Sequence, residues 1–276
     1  MLGIGAILLS IFIPYAGKLQ EQSNRDRCAD NLRQLNRALQ EYAKLNQNDL
    51  PRAVYDLAAN PNGYTAFTGP YAGSPLSPGV GPNDVTASLW LLVATPDPNS
   101  KTKAAILTDL SLFVCPSTLD KADPRPTPMS RPNFRSGENL SYSYASPFSG
   151  YEDYKLNSDI MPAQFAIMAD KNPGAVAASI AANAPPLDLS KANSRNHGRA
   201  GQNVLYADGS VTFQTTPYCG VGQTSDRPGD NIYSALSPVP LSGQTIDYTG
   251  RGYIGRTYGP SYQYDSYLVP TADDGQ

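Results

Sequence analysis

The first 46 residues constrain this chain more than any other part of it. Residues 2–17, LGIGAILLSIFIPYAG, carry no charged side chain, and the first charge is Lys18. Such a run seeks a membrane or a core, although it falls a little short of the roughly 20 apolar residues that span a bilayer as a helix. No basic segment precedes it and no small-residue cleavage pattern follows, which separates it from an ordinary secretory signal peptide. From Ser23 to Asn46 the pattern changes. Cys28, Leu32, Leu35, Leu39 and Tyr42 recur at steps of four and three, with Arg33, Arg37 and Glu41 between them. This spacing lays one apolar stripe along one face of a helix. With no turn signal between the two parts, the sequence predicts a single rod about 65 Å long at 1.5 Å per residue. It is expected to loosen near Pro14 and Gly17 and to stop at NQNDLP, residues 46–51. The alternative is a core helix at the chain start. The division that follows is a transmembrane part at 1–22, an amphipathic continuation at 23–47 and a β-rich globular body at 48–276.

Charge removes one class of function. Lys and Arg total 21 against 24 Asp and Glu, with no basic run, so the clustered cations that neutralise nucleic-acid phosphates are missing. Lys18, Arg25 and Arg27 follow the apolar run directly, and by the positive-inside rule they favour keeping that end in the cytoplasm. The three cysteines, Cys28, Cys115 and Cys219, lie far apart without a CxxC pair, which argues against a zinc ribbon or a thioredoxin-type site. At most one intrachain disulfide is possible. Cys28 sits on the stripe that must pack on the body and Cys115 ends an apolar run, so these two are expected to lie together.

The body reads as short elements in long connections. Arg52 to Pro82 is a loop rich in Gly, Pro, Asn and Tyr. Asn83 or Asp84 caps a short buried helix, VTASLWLLVA, anchored by Trp90. Residues 116–139 look too polar for a core element. LSYSYAS, QFAIMA, NVLYA and SVTFQ read as strands. The tail from Gly220 reads as coil wrapping the sheet, its last residues loose. The fold class is therefore α+β: a long N-terminal helix, transmembrane then amphipathic, packed on a small antiparallel sheet with long loops.

An apolar half followed by an amphipathic half, with a proline in the apolar part, resembles type IV pilin-like proteins and pseudopilins. CADNLRQLNRALQEYAKLNQNDLP, residues 28–51, is similar to the post-membrane helix of the large pilin-like proteins of planctomycete-type bacteria. Phe113 to Ser117, FVCPS, and the FAIMADKNPG segment resemble the same family. So does HGRAGQNVLYADGSVTF, where His197 precedes Asp208-Gly209 by ten intervening residues, one more than the family's usual spacing. The signature residues are His197, Asn203, Asp208 and Gly209. The family's leader, Gly-Phe cleavage site and following Glu are not seen, and against that pattern the expectation is a start upstream of Met1, a trimmed chain or a divergent member that has lost processing. The resemblance implies a non-enzymatic subunit of a type IV pilus-like or type II secretion pseudopilus filament. Its partners would be other pilin-like subunits and the inner membrane, with a periplasmic or cell-surface body and no cofactor. The alternative is a membrane-anchored envelope protein that binds a glycan or other ligand without polymerising.

Around the chain's one histidine the sequence offers both a structural and a chemical reading. With Asp208 and Gly209 as the centre of a type I′ turn, Tyr206 pairs with Val211 and Val204 with Phe213, a half-buried hairpin that needs no chemistry. Asp170, His197 and Asp208 are candidate metal ligands at one sheet end, with Ca²⁺ the ion considered. Imidazole suits that ion poorly, since Ca²⁺ takes six to eight oxygens. A Ser-His-Asp hydrolase lacks its G-x-S-x-G elbow. GRGYIG, residues 250–255, matches a dinucleotide fingerprint literally but leaves too little chain for a βαβ unit.

Overall fold

The computed structural model describes residues 2–60, 63–68, 80–124, 128–236 and 252–274, the first 15 of these by backbone alone. Helix α1 (Leu2–Leu45) runs through Pro14 and Gly17 unbroken, so the loosening expected there does not divide it. It ends where the sequence says it should. Gln47 and Asn48 turn the chain at φ of 55° and 66°, and the Asn46 side chain donates to the Tyr42 carbonyl at 2.7 Å. Cys28, Leu32, Leu35 and Leu39 are fully buried and Tyr42 is 9% exposed, so the predicted stripe is the face that packs. Among the described residues no helix is long and apolar enough to cross a membrane. The uncharged run itself lies almost wholly outside the residues whose side chains are described.

Against the stripe lies one antiparallel sheet of five strands in the order β4-β3-β2-β1-β5. The strands are β1 (Tyr142–Ala145), β2 (Ala166–Asp170), β3 (Gln202–Tyr206), β4 (Val211–Gln214) and β5 (Leu268–Val269). The fifth comes from the tail that read as coil. It is two residues long, too short to show an alternation, and it exists because β1 offers a free edge at Tyr144 and Ala145. Every residue of β1, β2 and β3 is buried, which a sheet shows when both faces are covered. On one face Asn31 of α1 donates to the Tyr142 hydroxyl at 3.3 Å, and Asn203 donates to the Arg25 carbonyl at 3.3 Å. On the other, Tyr206 donates to the Cys219 carbonyl at 3.0 Å and Ser143 to that of Pro270 at 2.7 Å.

The β3–β4 hairpin corrects the expected register by one residue. Leu205 faces Val211 and Asn203 faces Phe213. Tyr206 N–H donates to the Ser210 carbonyl and Gly209 N–H to that of Tyr206, both at 2.9 Å, so Ala207-Asp208-Gly209 form a three-residue loop. Only Gly209, at φ 84°, takes the left-handed conformation. This is a type I turn closed by a glycine bulge rather than a type I′ turn. A one-residue slip changes which side chains share a face. Phe213 therefore joins Asn203 and Leu205 under α1, not Val204 and Tyr206.

Outside the sheet, one helix forms as expected and two further segments are better ordered than their composition implies. Helix α2 (Val85–Ala94) is capped by Asp84, which accepts from Ala87 N–H, and Trp90 donates its ring N–H to the Arg131 carbonyl at 2.8 Å. The 116–139 segment does contribute to the core, contrary to expectation. Arg131 and Asp123 neutralise each other at 3.0 Å in the interior, and Phe134, 2% exposed, meets Trp90 and Phe113 edge-on at 4.7 and 4.9 Å. The tail is likewise fastened as far as it is described: Asp274 accepts from the Tyr64 hydroxyl at 2.7 Å and from Arg256 at 2.7 Å.

Candidate functional site: a buried histidine between two carboxylates

Asp170 closes β2 in the middle strand of the sheet, where its pairing with Tyr142 turns it toward α1. It is fully buried. One carboxylate oxygen accepts from the Asn196 amide at 3.0 Å, and the other accepts from Asn203 N–H at 2.7 Å. His197 enters from the turn before β3, where Gly198 and Arg199 take φ of 60° and 64° and Ala200 N–H returns to the His197 carbonyl at 3.1 Å. The turn aims the ring inward. Its side chain is fully buried, edge-on to Phe213 at 5.9 Å. The corrected register is what puts Phe213 there.

Each ring nitrogen faces an acid. Nε2 lies 3.2 Å from an Asp170 oxygen, and Nδ1 lies 2.7 Å from Oε1 of Glu21 on α1. Glu21 also accepts from the Ser117 hydroxyl at 2.8 Å and from Arg25 at 3.4 Å. A neutral imidazole has a single N–H, so satisfying both carboxylates requires the imidazolium. Burial pulls the His197 pKa down, but the hydrogen bonds and charges of Asp170 and then Glu21 outweigh it and hold it above the usual value. Burial raises Glu21, yet the Ser117 and His197 hydrogen bonds and the charges of His197 and Arg25 leave it below the ordinary carboxylate range. The ion-pair chain ties α1 to the sheet.

The Cys28 and Cys115 sulfurs lie beside the ring, 2.12 Å apart in a disulfide with Cα atoms 5.2 Å apart. Cys115 Sγ is 3.7 Å from His197 Nε2, and the Asn203 amide is 3.4 Å from the same nitrogen. Cys219 is a buried thiol elsewhere.

Of the residues singled out from the sequence, Asp170, His197 and Asn203 converge, while Asp208 does not. Asp208 is exposed at the hairpin tip, where its carboxylate accepts from Ser210 N–H at 2.9 Å, a turn-stabilising contact. The three-residue metal set of Asp170, His197 and Asp208 is therefore not assembled. Glu21 and Asn196 were missed. Glu21 had a signal: counting back from Cys28 by three and four, the helical stripe passes through Arg25 and Glu21. Asn196 had none, because its role depends on a turn whose shape local sequence does not reveal.

Among the described residues no nucleophile is bonded to the histidine: Cys115 is oxidised, and the Ser117 hydroxyl donates to Glu21. Hard oxygen donors are too few here for calcium. Compared with protein-family models, curated proteins and solved structures, the chain matches none.

Proposed function

We propose that the protein is a non-enzymatic structural subunit of a pilus-like or pseudopilus-like filament. Its uncharged N-terminal run is held in the inner membrane and its α+β body stands on the outer side among similar subunits. The observation that carries this reading is the unequal use of α1. Among the side chains described, from Gly17 on, its body contacts start at Glu21 and continue along the stripe to Tyr42, whereas Gly17, Lys18, Leu19 and Gln20 are exposed and the backbone helix continues to Leu2. A helix whose second half is seated on its own sheet leaves the apolar first half for lipid or for the same half of other copies. The disulfide supports a body that folds outside a reducing cytoplasm.

The test is cross-linking in membranes. With cysteine placed by Leu9→Cys, oxidation should give a ladder of multimers in the membrane fraction, and electron microscopy of sheared material should show filaments carrying the protein. Recovery in the soluble fraction without a ladder would exclude a filament subunit. Membrane recovery as a monomer alone would favour the envelope-binding alternative.

A further inference from the structure

Four elements meet at one buried point. Cys28 comes from α1, Cys115 from the segment after the short 110–113 helix, Asp170 from the end of β2 and His197 from the turn before β3. Their two sulfurs, one carboxylate oxygen and one ring nitrogen all lie within 4.8 Å of one another, and all four residues are buried. Two cysteines, a histidine and an aspartate form the donor set that thiolate-preferring ions select.

We propose that this cluster is a redox-gated metal site: a disulfide when oxidised, and after reduction a tetrahedral site for Zn²⁺ or an ion of similar preference. The reductant is a thiol or dithiol. It gives two electrons and two protons to the Cys28–Cys115 bond and is itself left as a disulfide. Ion binding then expels the two thiol protons and the proton on His197 Nε2, because only thiolates and a neutral ring nitrogen coordinate.

The distances are close to what such an ion needs. Bonds of about 2.3 Å to sulfur and about 2.0–2.2 Å to nitrogen and oxygen place tetrahedral donors roughly 3.4–3.8 Å apart. Nε2 already lies 3.2 Å from the Asp170 oxygen and 3.7 Å from Cys115 Sγ. The main change required is separation of the two sulfurs once the covalent bond between them is gone. The outer contacts are also those of a metal centre. Glu21 accepts the hydrogen bond from Nδ1–H at 2.7 Å, which leaves Nε2 as the ligand nitrogen, and Asn196 holds the other Asp170 oxygen at 3.0 Å. Metal-bound histidines characteristically pass their second N–H to a carboxylate in this way. Coordination would keep α1 joined to the sheet when the covalent link is broken.

Cobalt is the probe. The full chain in nonionic detergent is reduced with a phosphine under argon and titrated with Co²⁺. The expected result is one Co²⁺ per chain, with a thiolate-to-cobalt charge-transfer band and the intense visible bands of tetrahedral geometry, bleached by Zn²⁺. The oxidised chain should show neither band. Cys115→Ser and Asp170→Asn should lose the tetrahedral spectrum, whereas Glu21→Gln, which only positions the ring, should keep it with about 10–100-fold weaker binding. Weak octahedral spectra, or a Cys115→Ser chain that binds as tightly with the same bands, would overturn the proposal. Circular dichroism covers loss of fold on reduction: sheet signal restored by Zn²⁺ supports the site, and signal not restored counts against it.

Discussion

Individual residues make separable predictions. Glu21 has a depressed pKa, so its contribution to stability is complete above the ordinary 4.5 and is lost as pH falls through the depressed value. His197 has a raised pKa, so its contribution is complete below the ordinary 6.5 and is lost as pH rises through the raised value. The ion-pair chain is therefore strongest between pH 4.5 and 6.5. Calorimetry of His197→Gln should show its largest deficit in Tm in that window and a smaller one at pH 9; a deficit independent of pH would contradict the imidazolium. Asp265, though a carboxylate, behaves in the opposite sense to Glu21. Fully buried, with Asp230 also buried beside it and likewise raised, it is pushed up to about 7. Its neutral form is favoured at low pH, and folding loses stability as pH rises through that value. Asp265→Asn should consequently stabilise more at pH 8 than at pH 5, by roughly 1–2 kcal/mol at the higher pH, where each pKa unit is worth ~1.4 kcal/mol. At the hairpin tip, Gly209 stands at φ 84° with its missing Cβ 3.1 Å from the Asn36 amide. Gly209→Val should cost about 1–2 kcal/mol in denaturant unfolding, since a β-branched side chain is strained there.

The element that decides most is α1, because its second half is also one wall of the body's core. Among its described side chains, contacts with the body start at Glu21. Removing residues 1–18 should leave the Tm of the body nearly unchanged. Extending the cut through residue 24 removes Glu21 as well, leaves the Ser117 hydroxyl and His197 Nδ1 without their partner, and should cost on the order of 1 kcal/mol, a few degrees in Tm. Equal Tm for the two truncations would show that Glu21 does not hold the helix. Glu21 sits in the stretch that sequence alone assigns to the membrane part, so the body's hold on α1 starts before the apolar stripe does.

For the molecule as a whole, the Cys28–Cys115 bond joins the N-terminal helix to the centre of the fold across 87 residues. That loop contains α2 and the long connections around it, so cutting the bond frees a large part of the unfolded chain. Reduction in the presence of a chelator should lower stability by roughly 2–5 kcal/mol. Reduction with Zn²⁺ present should lower it less if the coordination site forms. Guanidinium titrations under the two conditions make the comparison directly.

Sequence by itself determined the helix and its stop, the buried stripe, the capped helix around Trp90 and four of the five strands. Each of these is encoded locally, by periodicity, capping or turn residues, and each is present. It also singled out Asp170, His197 and Asn203, which meet, and Asp208, which does not. Tertiary structure decided what lies between distant segments. The hairpin register follows from covering both faces of β3, which placed Phe213 under α1 instead of beside Val204. The fifth strand exists only because β1 had an edge to pair. Glu21 reaches His197 across 176 positions, a contact that helical spacing can orient but cannot match with a partner. Local patterns record which side of an element is buried; which atoms then face each other depends on how the elements pack, and the charge on the histidine follows from that packing.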